Sequence, residues 1–484
     1  MVEVTVTGNG TPLHHGSHQK LLWPADETSS PARVDAVIVP TIRKPLYLEE
    51  AAKVAAELGC PLVTLHSGRY TSAQEAAQHL TWLHHLGRLS RLELVAIDMP
   101  APERLPLPEF RTSRRLAGTR FARRTDLSAK RNLGLLLSRL MGWERVAFLD
   151  DDIRVPDPAD LRRAAGQLDV HVAVGLGIEG FPDNSVVCHA YRKAGGSQET
   201  FIGGGALVVE MERTQSFFPD IYNEDWFYVL DAEKGLRTVG LAGKAIQQPY
   251  DPFRNPDRAR AEELGDVLAE GAYWLLDQGR SVADADAEHW RSFIGRRRHF
   301  IGQVLDMVNA KVAASPERKD MIKSLRAALG RLELITPELC VGYMADWAID
   351  QATWQAHLQH LASRYKTSRQ QPDQVIKLLA RGGAAQLSWS MASGISIHHH
   401  APGQIMPRRG PRQPNPPLHL WDLRRDRPPT TASPTVDTGQ PPLPGPGLWP
   451  RATPAMMARR ATTGTAGSPS FPPGAADESA ESAT

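Results

Sequence analysis

The chain is 484 residues long, 41% hydrophobic and 23% charged, a balance of globular proteins that excludes collagen-like, coiled-coil and wholly disordered chains. Its length exceeds what one core usually organises, so two folded units with accessory segments are expected. With 56 Lys and Arg against 54 Asp and Glu the formal net charge is +2, which argues against a generally basic nucleic-acid protein and leaves only local patches to interpret.

Residues 1–32 are mixed and turn-rich and read as an N-terminal arm. The opening MVEVTVTGNG has neither the basic start nor the apolar run of a signal peptide, and no apolar run long enough for an integral membrane segment follows, so the expected address is cytoplasmic. From there short β-branched runs alternate with helical patterns, the signature of βαβ units and a mainly parallel sheet. Residues 34–40 (VDAVIVP) form the first predicted strand, Leu46 to Leu58 a helix, 60–66 (CPLVTLH) a second strand, Ser72 to His85 a helix and 92–98 (LELVAID) a third strand. Asp126 to Met141 is a helix with Asp126 at its N-cap, leading into the apolar strand 145–150 (RVAFLD). From Asp257 the pattern changes to long helices with apolar residues three and four apart, as in LGDVLAEGAYWLLDQ and HFIGQVLDMVNAKV. This separate helical region covers the cleft or mediates homo-oligomer formation. The last 84 residues hold 18 of the 38 prolines and too little apolar residue to offset chain entropy, so a disordered Pro-rich tail is expected. The triplet His398 to His400 presets no metal geometry. Cys60, Cys188 and Cys340 lie far apart and read as small core residues.

Asp150, Asp151 and Asp152 emerge where a buried strand ends, the place at which ligands bind in open parallel sheets. Carboxylates this close raise one another's proton affinity unless a cation offsets them, and oxygen ligands favour Mg²⁺ or Mn²⁺, often shared with the phosphates of a nucleotide. A solvated acidic turn is the bland alternative. Further along, Glu224 and Asp225 follow an aromatic segment, FFPDIY; Asp225 could take a proton from a hydroxyl, or the pair could simply favour a helix start. Gly203, Gly204 and Gly205 permit close approach of an acceptor to main chain, or form a tight turn. Seven arginines lie between Arg104 and Arg124 with Glu109 as the one acid. With Lys130, Arg131 and Asn132 at the following helix start, they could hold a diphosphate or an acidic acceptor; for the loop arginines a mobile, solvated loop is an equal reading. A G-x-G-x-x-G match at Gly175, Gly177 and Gly180 is rejected as a dinucleotide fingerprint, because it lies late in the chain and runs into turn residues.

Taken in order, Pro40-Thr41-Ile42-Arg43 after the first strand, Ala129 to Gly134 (AKRNLG), the acidic triplet, the glycine triplet and Asn223-Glu224-Asp225 resemble a GT-A glycosyltransferase, family-two-like and inverting. The resemblance covers about residues 34 to 250 and implies an α/β fold of GT-A type, a Rossmann-like mixed sheet that binds a nucleotide-diphospho-sugar. The expected organisation is an arm at 1–32, a catalytic domain at 33–255, the helical region at 256–395 and the tail at 396–484. The resemblance implies a D-x-D motif with a divalent cation (Mg²⁺ or Mn²⁺) on Asp150 and Asp152, ribose and diphosphate contacts at Asp150 and Asp151, nucleotide contacts at Pro40, Thr41 and Arg43, and Asp225 as the base within the Glu224-Asp225 motif. Asp98 is the candidate for the acid usually found at the second strand, which has no counterpart near His66. Trp226 could stack on an acceptor sugar. No Q-x-x-R-W follows the motif, so a processive polymer synthase is not expected. The implied reaction is transfer of a sugar from a nucleotide-sugar donor to an acceptor hydroxyl with inversion. Two alternatives stand beside it: a mutase resembling the reversibly glycosylated polypeptides, and a non-catalytic protein that binds nucleotide sugar or RNA.

Overall fold

The computed structural model describes residues 29–68, 70–89, 92–179, 185–196, 203–213, 215–364, 375, 388–393 and 396–400. The arm before Ser29 and the tail from Ala401 lie outside the described residues. Strands β1 (Ala36–Thr41), β2 (Leu62–His66) and β3 (Glu93–Asp98) alternate with helices α1 (Glu49–Leu58) and α2 (Ala73–His85). A short helix α3 (Arg111–Leu116) precedes α4 (Leu127–Met141), β4 (Arg145–Leu149) and the two-residue β5 (Ile153–Arg154). Then come α5 (Ala159–Gly166), β6 (Ala173–Glu179), α6 (Val186–Lys193), β7 (Ala206–Glu210) and α7 (Glu224–Tyr228). The ribbon of β8 (Leu230–Asp231) and β9 (Gly235–Leu236) leads to β10 (Val239–Gln247). Four helices follow, α8 (Pro256–Asp277), α9 (Ala287–Lys311), α10 (Pro316–Leu332) and α11 (Pro337–Arg364), and then the hairpin β11 (Ser388–Ser393) and β12 (Ser396–His400).

Local chemistry sets these boundaries. The Ser72 side chain accepts the N–H of Glu75 at the start of α2, and Asn255 and Ser315, each followed by proline, open α8 and α10 in the same way. Gly59 and Gly142 end α1 and α4 with φ of 68° and 67°, the left-handed geometry that glycine adopts without penalty. Asp126 does occupy the N-cap position of α4, but its carboxylate pairs with Lys130 rather than with a backbone N–H.

One mixed sheet runs in the order β12-β11-β3-β2-β1-β4-β7-β6-β10-β5. Strands β3, β2, β1 and β4 are parallel, β7 is antiparallel to both β4 and β6, and β10 is parallel to β6. The α/β class, the Rossmann-like mixed sheet and the helical C-terminal region are those expected. Alternation along β1 divides the core: Val37 and Val39 face the layer of α1, α2 and α5, while Ala36 and Ile38 face α4. The second layer runs without a break into Trp290, Phe293, Trp347 and Trp354 of α9 and α11. The helical region therefore shares its core with the sheet, and the sequence reading of a separate region is corrected in that respect.

Two further differences follow, and the rejection of the glycine match holds. Residues 388–400, read as the end of the helical region and the start of the tail, contain the hairpin that pairs antiparallel with β3; its strands are six and five residues long, and Ser388 to Met391 does alternate polar and apolar residues. The backbone of the arginine segment is docked at α3, where the buried Asp350 of α11 accepts the N–H groups of Arg111 and Thr112 at 2.7 and 2.9 Å and Phe110 stacks on Phe217, while Arg111, Arg114 and Arg115 themselves stay exposed. Gly175 and Gly177 lie within β6, paired with neighbouring strands and not in a phosphate-binding loop. Among the described residues no helix is long and apolar enough to cross a membrane, and the three cysteines are buried.

Candidate functional site

The carboxyl ends of β1 and β4 lie side by side because the two strands are parallel neighbours, so Thr41 to Arg43 and the acidic triplet meet despite a separation of over a hundred residues. Thr41 Oγ1 donates to Asp151 Oδ2 at 2.6 Å and accepts the Arg43 N–H at 3.1 Å. The Arg43 guanidinium reaches Asp152 Oδ2 at 3.1 Å and Asp151 Oδ1 at 3.4 Å, and lies against the Tyr47 ring. Burial pushes the Asp151 carboxyl up to about 6 against the pull of Arg43, and raises Asp152 in the same way. Asp150 is the most open of the three, its side chain 32% exposed.

Arg131 ties the triplet to the second acidic element. Its side chain is only 2% exposed, and its guanidinium donates to Glu224 Oε1 at 2.5 Å and to both oxygens of Asp150 at 2.9 and 3.2 Å. The Phe218 ring lies beneath it. Burial by itself would lower the Arg131 pKa, but Asp150, Glu224 and Asp225 outweigh it and hold the charge on. A Cβ at Gly204 would stand 2.6 Å from this guanidinium, and one at Gly205 would stand 3.3 Å from Asp150 Oδ2. Glycine is thus required at 204 to admit Arg131, and the contact sequence reasoning gave to an acceptor is taken by this guanidinium. Gly203, in the same turn, is buried and its carbonyl accepts the Ala206 N–H.

Glu224 is buried and pushed up to about 7 by desolvation, with Arg131 and Arg123 opposing. Asp225 is half-buried and also raised by burial; its oxygens accept the Gly204 N–H at 2.5 Å and the Trp226 N–H at 2.9 Å. The turn into α7 depends on Asn223, which adopts φ of 62° and donates its amide to Asp266 of α8. Trp226 is buried edge-on against Tyr273, so it is core and not an acceptor platform.

The other expected donor contacts have different tasks. Lys130 is buried and donates to the Thr41 carbonyl (2.9 Å) and Ser67 Oγ (2.7 Å) while pairing with Asp126 (2.9 Å), so its three protons are spent. Burial lowers its pKa. Asn132 uses its amide on both main-chain groups of Phe218. Asp98 accepts the Ala73 N–H and caps α2. Pro40 is buried within β1. Ser67, which follows β2 and receives Lys130, was not among the expected site residues, whereas Arg123 belongs to the arginine segment already singled out. His66 is held between Thr64 and Thr71 and lowered by burial to about 3, so it stays neutral.

Among the described residues no group of three or more His, Cys, Asp or Glu side chains is spaced to enclose a metal ion. Mg²⁺, however, commonly takes one or two carboxylates and completes its shell with water and phosphate oxygens. The charge balance fits such a cation. Asp150, Asp151, Asp152, Glu224 and Asp225 are five carboxylates, and the arginines in contact with them are Arg43, Arg131 and, 3.9 Å from Glu224, Arg123. Among the described residues the carboxylates thus outnumber these arginines; burial is the main cause that raises Asp151 and Glu224, and neighbouring carboxylates add to it.

No family model matches the chain, and no curated protein matches it. Among solved structures it is similar to a mannosyltransferase, PcManGT from Pyrobaculum calidifontis, in complex with GDP-Man and Mn²⁺, at 15% identity and a TM-score of 0.33, over 70% of this chain and 89% of that one. It is also similar to the galactosyltransferase LgtC in complex with donor and acceptor sugar analogs, at 17% identity and a TM-score of 0.21, over 37% of this chain and 58% of that one. At these TM-scores neither likeness assigns chemistry to this chain.

Proposed function

We propose that the chain is a metal-dependent glycosyltransferase of GT-A type that moves a sugar from a nucleotide-diphosphate donor to an acceptor hydroxyl with inversion. The observation that carries this reading is the Arg131 bridge, which joins an acidic triplet at the tip of a parallel strand to Glu224 and thereby to Asp225.

Asp150 and Asp152 would hold the divalent cation, which when bound neutralises charge on the departing diphosphate. Thr41 and Arg43 fix Asp151 and Asp152, so the strand tip keeps one arrangement of its carboxylates. Asp225, its proton affinity raised by burial, takes the proton of the acceptor hydroxyl as that oxygen attacks the anomeric carbon. The new glycosidic bond forms as the bond from the anomeric carbon to the phosphate oxygen breaks, its electron pair leaving with the diphosphate. Attack on the face opposite the leaving group inverts configuration. Glu224 keeps Arg131 in place, and Arg131 in turn keeps Asp150 beside Asp225.

Incubation of the full chain with UDP-, GDP- and dTDP-sugars and Mn²⁺, followed by NMR of the products, tests the reading. Release of nucleoside diphosphate from one of them, abolished by EDTA, is expected. A change of sugar ring form with no diphosphate released would establish the mutase instead.

A further inference from the structure

A cavity of about 500 Å³ opens between the arginine segment and the helical region, within the range of small-molecule sites. Residues 118–125 form one wall, Ile221 and Tyr222 ahead of α7 another, and the first turns of α8 with Arg331 of α10 the rest. Six arginines line it, Arg120, Arg123, Arg124, Arg258, Arg260 and Arg331, against two acids, Asp257 and Glu262. Both acids are already engaged, Glu262 by Arg258 at 2.5 Å and Asp257 by Arg260 at 2.6 Å. The rim continues to Lys323 and Arg326 in a neighbouring hollow that shares Asp257 and Arg260.

This excess of positive charge is built into the fold. Arg331 donates to the Arg120 carbonyl and lies against the Phe121 ring, which fixes the segment on α10. Burial lowers the Arg331 pKa, and Arg260 and Arg120 lower it further by repulsion. The Arg123 side chain is 8% exposed, and its Nη1 is buried with no hydrogen-bond partner among the described residues; it stands 3.9 Å from Glu224, and its charge also acts on the buried Asp220. A buried donor left unmatched costs stability until a ligand meets it. Arg123 thus stands between the cavity and the acidic pair of α7.

Resting on the glycosyltransferase reading, we propose that this cavity receives the phosphate group of a phosphorylated small-molecule acceptor, placing one of its hydroxyls at Asp225. Guanidinium forks match phosphate oxygens in pairs, and a phosphomonoester brings close to two negative charges to a site with four more arginines than acids. The donor's own phosphates are met elsewhere, at the strand tips across Arg131.

The test is calorimetric titration of the full chain with inorganic phosphate, alongside UDP or GDP with Mn²⁺. The variant carries Arg120→Gln and Arg260→Gln; Arg331→Gln is the second variant, and circular dichroism checks both folds. Loss of two charge-assisted contacts should weaken phosphate binding about tenfold or more, with nucleoside diphosphate affinity unchanged. Equal phosphate affinity in wild type and both variants overturns the site, as does an absence of phosphate binding. If phosphate binding follows the arginines while no nucleoside diphosphate binds, the anion site stands, and its role for an acceptor falls with the glycosyltransferase reading.

Discussion

Two arginine–carboxylate clusters in this molecule use the same groups for opposite ends. In the helical region Arg297 of α9 is 1% exposed and bonds Glu263, Asp266 and Glu270 of α8 at 3.0, 2.5 and 2.8 Å. At the strand tips the Arg43 side chain is 31% exposed and Asp150 is similarly open. Burial pushes Glu270 up to about 8 and Glu263 to about 7, so the closed cluster meets its lack of positive charge by retaining protons. The strand-tip cluster holds raised carboxyls as well, at Asp151 and Glu224, but its Asp150 and Arg43 are open to a cation or a ligand. Accessibility separates a structural network from a binding site when the residue types are the same. The two are also joined, because Asp266 accepts from Asn223, which turns the chain into Glu224 and Asp225.

The largest effect expected is on rate. Asp225→Asn should lower turnover roughly 10²- to 10⁴-fold while leaving donor affinity, measured by calorimetry, within about twofold of wild type. Full activity in that variant would remove Asp225 as the base. In the closed cluster, Arg297→Met leaves three buried carboxylates without their cation and should cost about 3 to 5 kcal/mol in urea unfolding. A loss well below that would erase the contrast drawn between the clusters.

A smaller effect concerns pH. Glu263 and Glu270 have folded values far above the ordinary 4.3 of an unfolded glutamate. The folded state therefore binds more protons than the unfolded state between these values. Their stabilising contribution is full below about pH 4 and is lost as pH rises toward 7 and 8. Thermal midpoints should fall across pH 5 to 8, and Glu270→Gln should flatten the fall between 6 and 8; an unchanged slope in that variant would assign the effect elsewhere. The smallest effect belongs to the open cluster: Arg43→Ala should change stability by less than about 1 kcal/mol, yet weaken donor binding measurably.

Much of the sheet was legible because each predicted strand is a β-branched run between turn residues, and β1 to β4 lie within two or three residues of expectation. The triplet was legible because it follows an apolar strand. What escaped was which way each side chain turns. Lys130, Arg131 and Asn132 look like surface cations and an amide at a helix start, but the helix presents them inward, where Thr41, Glu224 and Phe218 receive them. Gly204 illustrates the same limit: its three-glycine run announces close approach, yet only the fold reveals that the approaching group is Arg131. The hairpin on β3 left only a short trace, the alternation of Trp389 and Met391 with serines, followed by a histidine-rich strand next to the Pro-rich segment.

The most direct measurement is the thermal shift of wild type and Asp152→Asn with UDP or GDP, each with and without Mn²⁺. The account predicts stabilisation of the wild type by one nucleoside diphosphate only when Mn²⁺ is present, and loss of that stabilisation in the variant. Stabilisation that ignores Mn²⁺, or that survives intact in Asp152→Asn, would contradict it.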